Sequence, residues 1–466
     1  MKKIAVVGGG ISGLATAYQI DKRLRSAGVA CELRLFEAEA RTGGKIGAAQ
    51  RDGFLCEAGP NGFLDSKPST LELCREIGLE DRLLRAHEAA ARRFVFSRGE
   101  LHQLPGSPAA FFRSRLLSLP ARLRIIGELW APVSTPESDP TVAEFGRRRL
   151  GREAAARLLD PMVAGVYAGD PERLSLKSCF PRIAELEQDY RSLIRALISL
   201  QLKRGRRADG GGPAGPGGTL TSFDGGLSVL PDTLTLSLAG KISCGSALAA
   251  VERTAAGYRL NFASGIEPYD CDLLVLATQA VDAVEPLRAL DARLSQILAS
   301  FEYAPVSVVG LGFEQGQLPS ALDGFGFLVP GEERRRILGS LWTSSIFAHR
   351  APPGCVLLRT LIGGARRPEL AVLPEADLVE LARRELAGIL GIEAQPVFVQ
   401  VFKWPKAICQ YTVGHQERLQ QMEARLSRLP GLYLTGNAYR GVALNDCTLN
   451  AVRVADDITA RLAASP

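Results

Sequence analysis

Histidine is scarce in this chain, with four in 466 residues (87, 102, 349 and 415), and no two are spaced to share a metal ion, so a metal centre is not expected. The nine cysteines (31, 56, 74, 179, 244, 271, 355, 409 and 447) form no C-x-x-C pair and are odd in number, which excludes a complete disulfide framework and suits reduced thiols in a core. No apolar run is long enough to span a bilayer, and the first residues enter a strand at once, leaving no room for a signal peptide. A cytoplasmic chain is expected, at most peripheral on the inner face of the cell membrane. Charge of one sign is not in large excess either. The net charge of +6 is compatible with an anionic substrate or an acidic lipid surface and does not imply nucleic acid. No Ser/His/Asp, Cys/His or paired-carboxylate constellation stands out, so chemistry carried by side chains alone is not expected.

What the chain does have is glycine in one telling arrangement. Ile4 to Val7, four apolar strand formers, run into Gly8-Gly-Gly10-Ile11-Ser12-Gly13, after which the apolar spacing becomes that of a helix. In such a strand, turn and helix, Gly8 permits the turn, Gly10 lets a pyrophosphate approach the backbone and Gly13 lets helix and strand pack closely. The helix N-terminus supplies free N–H groups and a positive dipole, so the expected ligand is a dinucleotide. Leu33 to Phe36 reads as the second strand, and Glu37 ends it where a carboxylate can accept ribose hydroxyls, which argues against a 2′-phosphate.

Beyond Glu37 and Ala38, the pair Gly43-Gly44 again allows close backbone approach, and Lys45 follows either as a phosphate partner or as an exposed loop cation. Ala58-Gly59-Pro60-Asn61-Gly62-Phe63 is a turn cluster that could lie along a flavin. Arg93 to Phe96 and Leu101 to Leu104 suggest a hairpin. The 108–130 region mixes Phe111, Phe112, Leu116 and Leu117 with Arg113 and Arg115, which fits an interfacial element or a helix packed on its own domain. Helices are expected over 141–150, 152–166 and 185–202, and residues 205–218 read as a glycine-rich linker. Asp272 to Thr278 reads as a buried parallel strand. Leu432 to Asn437 and the helix after it return the chain to its first sheet, so both ends build one nucleotide domain and the middle is inserted.

This layout resembles the flavin-containing amine oxidase superfamily, and within it the protoporphyrinogen oxidase branch. The motifs that carry the likeness are Ala58 to Phe63, Gly165-Val-Tyr-Ala168-Gly169-Asp170, Ser222 to Gly226, Gly324 to Pro330, Gln410 to His415, Gly436 to Val442 and Asn445 to Cys447. They span nearly the whole chain in the family's order.

The resemblance implies an α/β fold with α+β lobes: a Rossmann-type FAD-binding domain of the p-hydroxybenzoate hydroxylase type (1–85, 219–282 and 426–466), a helical membrane-binding lobe (90–190) and a substrate-binding domain (191–204 and 283–425). It implies non-covalent FAD, held by Gly8, Gly10, Ile11, Ser12, Gly13, Glu37, Ala38, Gly44 and Lys45 in the first part of the chain. Gly59, Pro60, Asn61, Gly62, Leu248 and Trp404 would contribute in the middle, and Gly436, Asn437, Val442, Ala443 and Leu444 near the end. Cys447 lies past the position a covalent flavin needs. The family's propionate-gripping arginine falls on Arg93, either that or a surface hairpin cation, with Gly165, Ala168, Gly169, Phe327 and Leu328 as walls.

The implied reaction is oxidation of protoporphyrinogen IX to protoporphyrin IX in haem biosynthesis, by hydride transfer to flavin N5 with oxygen as acceptor and hydrogen peroxide as product. Coproporphyrinogen III is the alternative substrate, and more cations should then line the pocket. An amine oxidase or carotenoid desaturase would be a third reading, for which Tyr439 supplies at most one of two flanking aromatics. His415 reads as structural rather than as a base. The implied partners are the tetrapyrrole itself, a lipid surface, a second copy of the chain and a ferrochelatase receiving the product.

Overall fold

A computed structural model describes residues 1–106, 108–204, 218–263 and 265–463. The linker expected at 205–218 therefore lies outside the described residues except for Gly218. Five parallel strands form the first sheet, in the order Ile242–Ser243, Cys31–Phe36, Lys2–Val7, Leu273–Leu276 and Leu432–Leu434. Its central strands are apolar on both faces because both are covered. Ile4, Val6, Leu33 and Leu35 pack under helices Ile11–Ser26 and Leu444–Ala463, through Leu14, Ile20, Ala451 and Ile458. Ala5, Val7, Phe36 and Leu274 point the other way, onto the antiparallel strands Leu248–Arg253, Tyr258–Phe262 and Tyr269–Cys271.

A second, seven-stranded sheet runs Phe398–Gln410, Glu302–Glu314, Cys355–Gly363, Gly339–Trp342, Gly326–Leu328, Arg93–Ser97 and Glu100–Gln103. Strand alternation splits its residues cleanly. Phe96, Val309, Leu311, Phe327, Leu358 and Ile362 face helix Glu375–Leu390 and close a core there. The opposite face carries Arg93, Leu328, Arg359 and Leu361. The hairpin at 93–103 thus belongs to this sheet and not to the helical lobe expected from residue 90, because Arg93–Val95 pairs in parallel with the otherwise open edge of Gly326–Leu328.

Helices fill 108–204. The single helix expected over 185–202 is two, Pro181–Tyr190 and Leu193–Arg204, broken where Arg191 adopts a left-handed φ of 60°. The second of them packs on the first and on the turn Gly127–Trp130, so 191–204 joins the helical lobe rather than the substrate sheet. A buried ionic knot ties these pieces together. Arg149 donates to Glu187 at 2.8 Å and Glu128 at 3.1 Å, and Glu128 in turn accepts from the Leu193 and Ile194 N–H groups at the start of the last helix.

The apolar cluster expected at the interface is only partly there. Leu116 is buried, Leu117 is buried against Ala121 and Ala154, Phe111 packs on that cluster, and the Phe112 side chain lies outside the described residues. The exposed stripe is instead Leu119, Leu123, Ile126 and Trp130, the last 75% exposed. These positions recur at helical spacing on Leu119–Ile126 and the turn after it.

Candidate functional site

The carboxyl ends of the parallel strands meet at one edge of the first sheet. Gly8 has a φ of 107°, and a Cβ there would lie 2.9 Å from the Ala277 carbonyl, so the turn accepts only glycine. A Cβ on Gly13 would sit on the Gly8 carbonyl oxygen, whereas the face of Gly10 is open, with nothing within 4 Å. Helix Ile11–Ser26 has Gly10 as its N-cap, no side-chain cap and no acidic residue in its first turn, so the N–H groups after Ile11 and Ser12 remain free for an anion.

Glu37 is fixed beside this turn. Its carboxylate accepts from the Gly9 N–H at 2.5 Å and the Glu39 N–H at 2.8 Å, with Ala38 exposed between. Segment 243–246 backs it through Ser243 and Ser246, and Leu248 opens the next strand. Gly43 donates to the Gly9 carbonyl at 2.8 Å, and Gly44 approaches Gly10 so closely that a Cβ would lie 3.2 Å from its Cα. Lys45, either phosphate partner or loop cation on sequence grounds, donates to the Ala407 carbonyl at 2.7 Å, and burial pushes its ammonium down to about 8.

The loop from Ala58 to Gly62 bridges the two sheets. Trp404 Nε1 donates to the Ala58 carbonyl at 2.7 Å and Arg359 to the Gly59 carbonyl at 2.6 Å, with Pro60 exposed and Asn61 buried. A side chain on Gly59 would strike the Lys45 carbonyl, and one on Gly62 would come within 2.5 Å of the Thr221 carbonyl. Opposite, Gly436 (φ 135°) and Asn437 follow the last strand. Tyr411 links them to the final helix, donating to the Asn437 carbonyl at 2.7 Å and accepting from the Gly441 N–H at 2.9 Å, just ahead of Val442, Ala443 and Leu444.

Three buried polar atoms along this rim have no partner among the described residues: Gln279 Oε1, Thr435 Oγ1 and Asn61 Nδ2. Uncapped helix N–H groups, a fixed carboxylate and unpaired amide and hydroxyl groups are what a flavin dinucleotide satisfies, so the residues present fit FAD. Cys447 is buried, and burial pushes its thiol up to about 11 against the opposing bond from Ser12.

The second sheet provides the other wall. Leu328 meets helix Asp160–Tyr167 at Gly165, where a Cβ would lie 2.9 Å from it, and Ala168 ends that helix at a left-handed φ of 46° with Gly169 beside Gln410. Phe327, expected as a wall, points the opposite way into the core under helix Glu375–Leu390, because neighbouring residues of a strand face opposite sides. Arg93 lies on the same face of the sheet as Leu328 and Arg359, exposed, with its guanidinium over the Phe325 ring at 5.2 Å. The guanidinium has no carboxylate within ion-pairing distance among the described residues, and partial desolvation lowers its pKa.

His415 stacks on Tyr411 with ring centroids 4.0 Å apart and meets the Tyr439 carbonyl through Nε2 at 3.2 Å. Burial pushes it down to about 4, so it is neutral and structural. Tyr439 packs edge-on against Phe301 inside the core and contributes no flanking aromatic. Arg359 is the site residue that sequence reasoning missed. The alternation of Leu357, Arg359 and Leu361 against Leu358, Thr360 and Ile362 places it on the cavity face, but its partners are some 300 positions away in the chain.

The fold and this rim define a flavin-dependent oxidoreductase. The chain belongs to the flavin containing amine oxidoreductase family, which matches residues 11–459, and its cofactor is FAD. Among curated relatives, it is 31% identical to the coproporphyrinogen III oxidase of Bacillus subtilis (strain 168), over 96% of this chain and 95% of the relative. It is 35% identical to the chloroplastic protoporphyrinogen oxidase of Nicotiana tabacum, over 97% of this chain and 85% of that one. The crystal structure of an Exiguobacterium sp. 255-15 protein, provisionally described as a protoporphyrinogen oxidase, superposes with a TM-score of 0.85 at 28% identity, covering 99% of both chains. Cyclohexylamine oxidase from Brevibacterium oxydans IH-35A shares the fold, with a TM-score of 0.69 at 16% identity over 98% of this chain and 99% of that one.

Proposed function

We propose that the chain oxidises protoporphyrinogen IX to protoporphyrin IX in haem biosynthesis, with non-covalent FAD. The observation that carries this reading is the exposed Arg93 guanidinium, without a carboxylate partner among the described residues, on the sheet face that also carries Leu328 and Arg359. Residues paired across a sheet share a face, and Arg93, Gly326, Leu341 and Arg359 form one such row. Three strand spacings separate its two arginines, about 14 Å, so a propionate at Arg93 lets the macrocycle extend back toward the flavin side. Glycine at 326 keeps the row low between them. FAD, when bound, supplies acceptance of a hydride at N5 and return of the electrons to oxygen, giving hydrogen peroxide. The chain's part is to grip the carboxylate, shape the cavity with Leu328 and the Gly165–Gly169 turn, and keep its ionisable core groups, His415 included, out of the reaction.

The Bacillus relative favours coproporphyrinogen III as the second reading. Aerobic oxidation of both substrates side by side, followed by porphyrin fluorescence and peroxide, separates them, and faster turnover of coproporphyrinogen III would overturn the first. Arg93→Ala is expected to raise KM roughly ten- to a hundred-fold, the loss of a charge-assisted contact of about 1.5–3 kcal/mol, with little change in kcat. An unchanged KM would remove Arg93 from the site.

The same reading includes peripheral contact with an anionic lipid surface, now through Leu119, Leu123, Ile126 and Trp130 with the exposed Arg113 and Arg115 nearby. Among the described residues no helix is long and apolar enough to cross a membrane. Replacing Leu119, Leu123 and Trp130 together by serine is expected to lower co-sedimentation with phosphatidylglycerol vesicles at least ~100-fold, at roughly 1.5–3 kcal/mol for each buried side chain. Undiminished sedimentation would sink the idea.

A further inference from the structure

Arg359 lies mid-strand in Cys355–Gly363 and is only 2% exposed. Glu57 lies within Coulomb range of both Arg359 and Arg350 and reaches Arg350 at 3.7 Å, while among the described residues no carboxylate comes within ion-pairing distance of Arg359. Two buried guanidinium groups thus share one carboxylate, a costly arrangement that calls for a task other than stability.

Its bonds indicate the task. Arg359 Nη2 donates to the Gly59 carbonyl at 2.6 Å and Nη1 to Asn61 Oδ1 at 3.2 Å. A guanidinium has donors only, so the Asn61 amide must turn its oxygen toward Arg359 and its NH2 away. That Nδ2 is buried and has no partner among the described residues. It belongs to the loop that Trp404 and Arg359 hold between the two sheets, next to the edge where the dinucleotide turn opens.

We propose that Arg359 is a positioning residue for the flavin: it pins Gly59 and Asn61, fixes the Asn61 Nδ2 as a donor toward the flavin, and adds a buried positive charge that favours the reduced cofactor. This rests on the loop facing FAD, not on which porphyrinogen is oxidised, and its test needs no substrate.

The measurement is the midpoint potential of the bound flavin, by dye-coupled reduction of the holoenzyme. In Arg359→Met the preference for reduced over oxidised FAD is expected to fall at least tenfold, about 30 mV for a two-electron couple. Arg359→Lys keeps the charge without the two-pronged grip, so the potential is expected to stay nearer the parent's while the flavin absorption band broadens. Should Arg359→Met fail to fold, Asn61→Asp decides. Its carboxylate pairs with Arg359 and removes the Nδ2 donor, so flavin stays bound, thermal stability does not fall, and the potential drops by the same order. An unchanged potential in Asn61→Asp, or in flavin-loaded Arg359→Met, overturns the proposal. Shifted potentials in these variants, together with no porphyrinogen turnover by the parent holoenzyme, would count against the substrate assignment alone.

Discussion

Gly13→Ala is expected to purify nearly colourless. Position 13 lies inside helix Ile11–Ser26, where alanine exceeds glycine in helix propensity by ~1 kcal/mol, so propensity alone predicts a stabilised protein. Packing predicts the reverse, because the new methyl would occupy the place of the Gly8 carbonyl oxygen and lie 3.2 Å from Ala277 Cβ. Relieving that overlap must push the helix off the strand and reopen the turn that the cofactor occupies. If the overpacking costs about 3 kcal/mol in the binding-competent turn, FAD affinity falls roughly 100-fold. The flavin-to-protein absorbance ratio, with an FAD titration of Tm, checks this. Full flavin occupancy with parent affinity would show that the close approach is not what holds the turn.

Arg149→Met is expected to have the largest effect on stability, and away from the flavin. Arg149 is fully buried between Glu128 and Glu187, and it also donates to the Ala131 and Arg191 carbonyls at 3.2 and 3.1 Å. Burial pushes the Glu187 carboxyl up, but bonds from Arg148 and Arg149 outweigh it and hold the group below the ordinary range. Methionine fills the space but leaves the buried Glu128 without its cation and Glu187 with Arg148 alone, at about 3–5 kcal/mol. The first urea transition should move accordingly while the flavin spectrum of the folded protein stays as it was. Adding Glu128→Gln should recover part of the loss. A shift under about 1 kcal/mol would mean that solvent reaches the knot.

The nucleotide half was legible in the sequence because its rules are local. A strand that must turn at once into a helix beneath a pyrophosphate needs glycine at 8, 10 and 13, and the carboxylate at 37 follows from the length of that unit. Features that depend on distant partners were not legible. The hairpin at 93–103 reads as alternating residues, but the strand it joins arrives at 326. Arg359 looks like one charge in an apolar strand until Gly59 and Asn61 are folded over it. Phe327 and Leu328 are equal candidates by composition, and only the register decides which faces the cavity. Leu117 is as apolar as Leu119 and Leu123; which of them is covered depends on Ala154, in another helix. The break at Arg191 has neither glycine nor proline to announce it.

The interleaving of the first sheet also dictates an order of events during synthesis. Strand Lys2–Val7 is made first, yet one neighbour, Leu273–Leu276, is made some 270 residues later, and Leu432–Leu434 completes that edge later still. Helix Leu444–Ala463 then packs against Ile11–Ser26, with Arg23 bonded to Asp456 at 2.6 Å. A nascent chain thus carries the glycine turn without the surfaces that make it a binding site until Leu444–Ala463 has been made. The helical lobe and most of the seven-stranded sheet can condense earlier, from contacts closer in sequence. FAD is therefore expected to be captured only once strand Leu432–Leu434 and helix Leu444–Ala463 are in place, as a latch on an assembled body rather than as a nucleus for it.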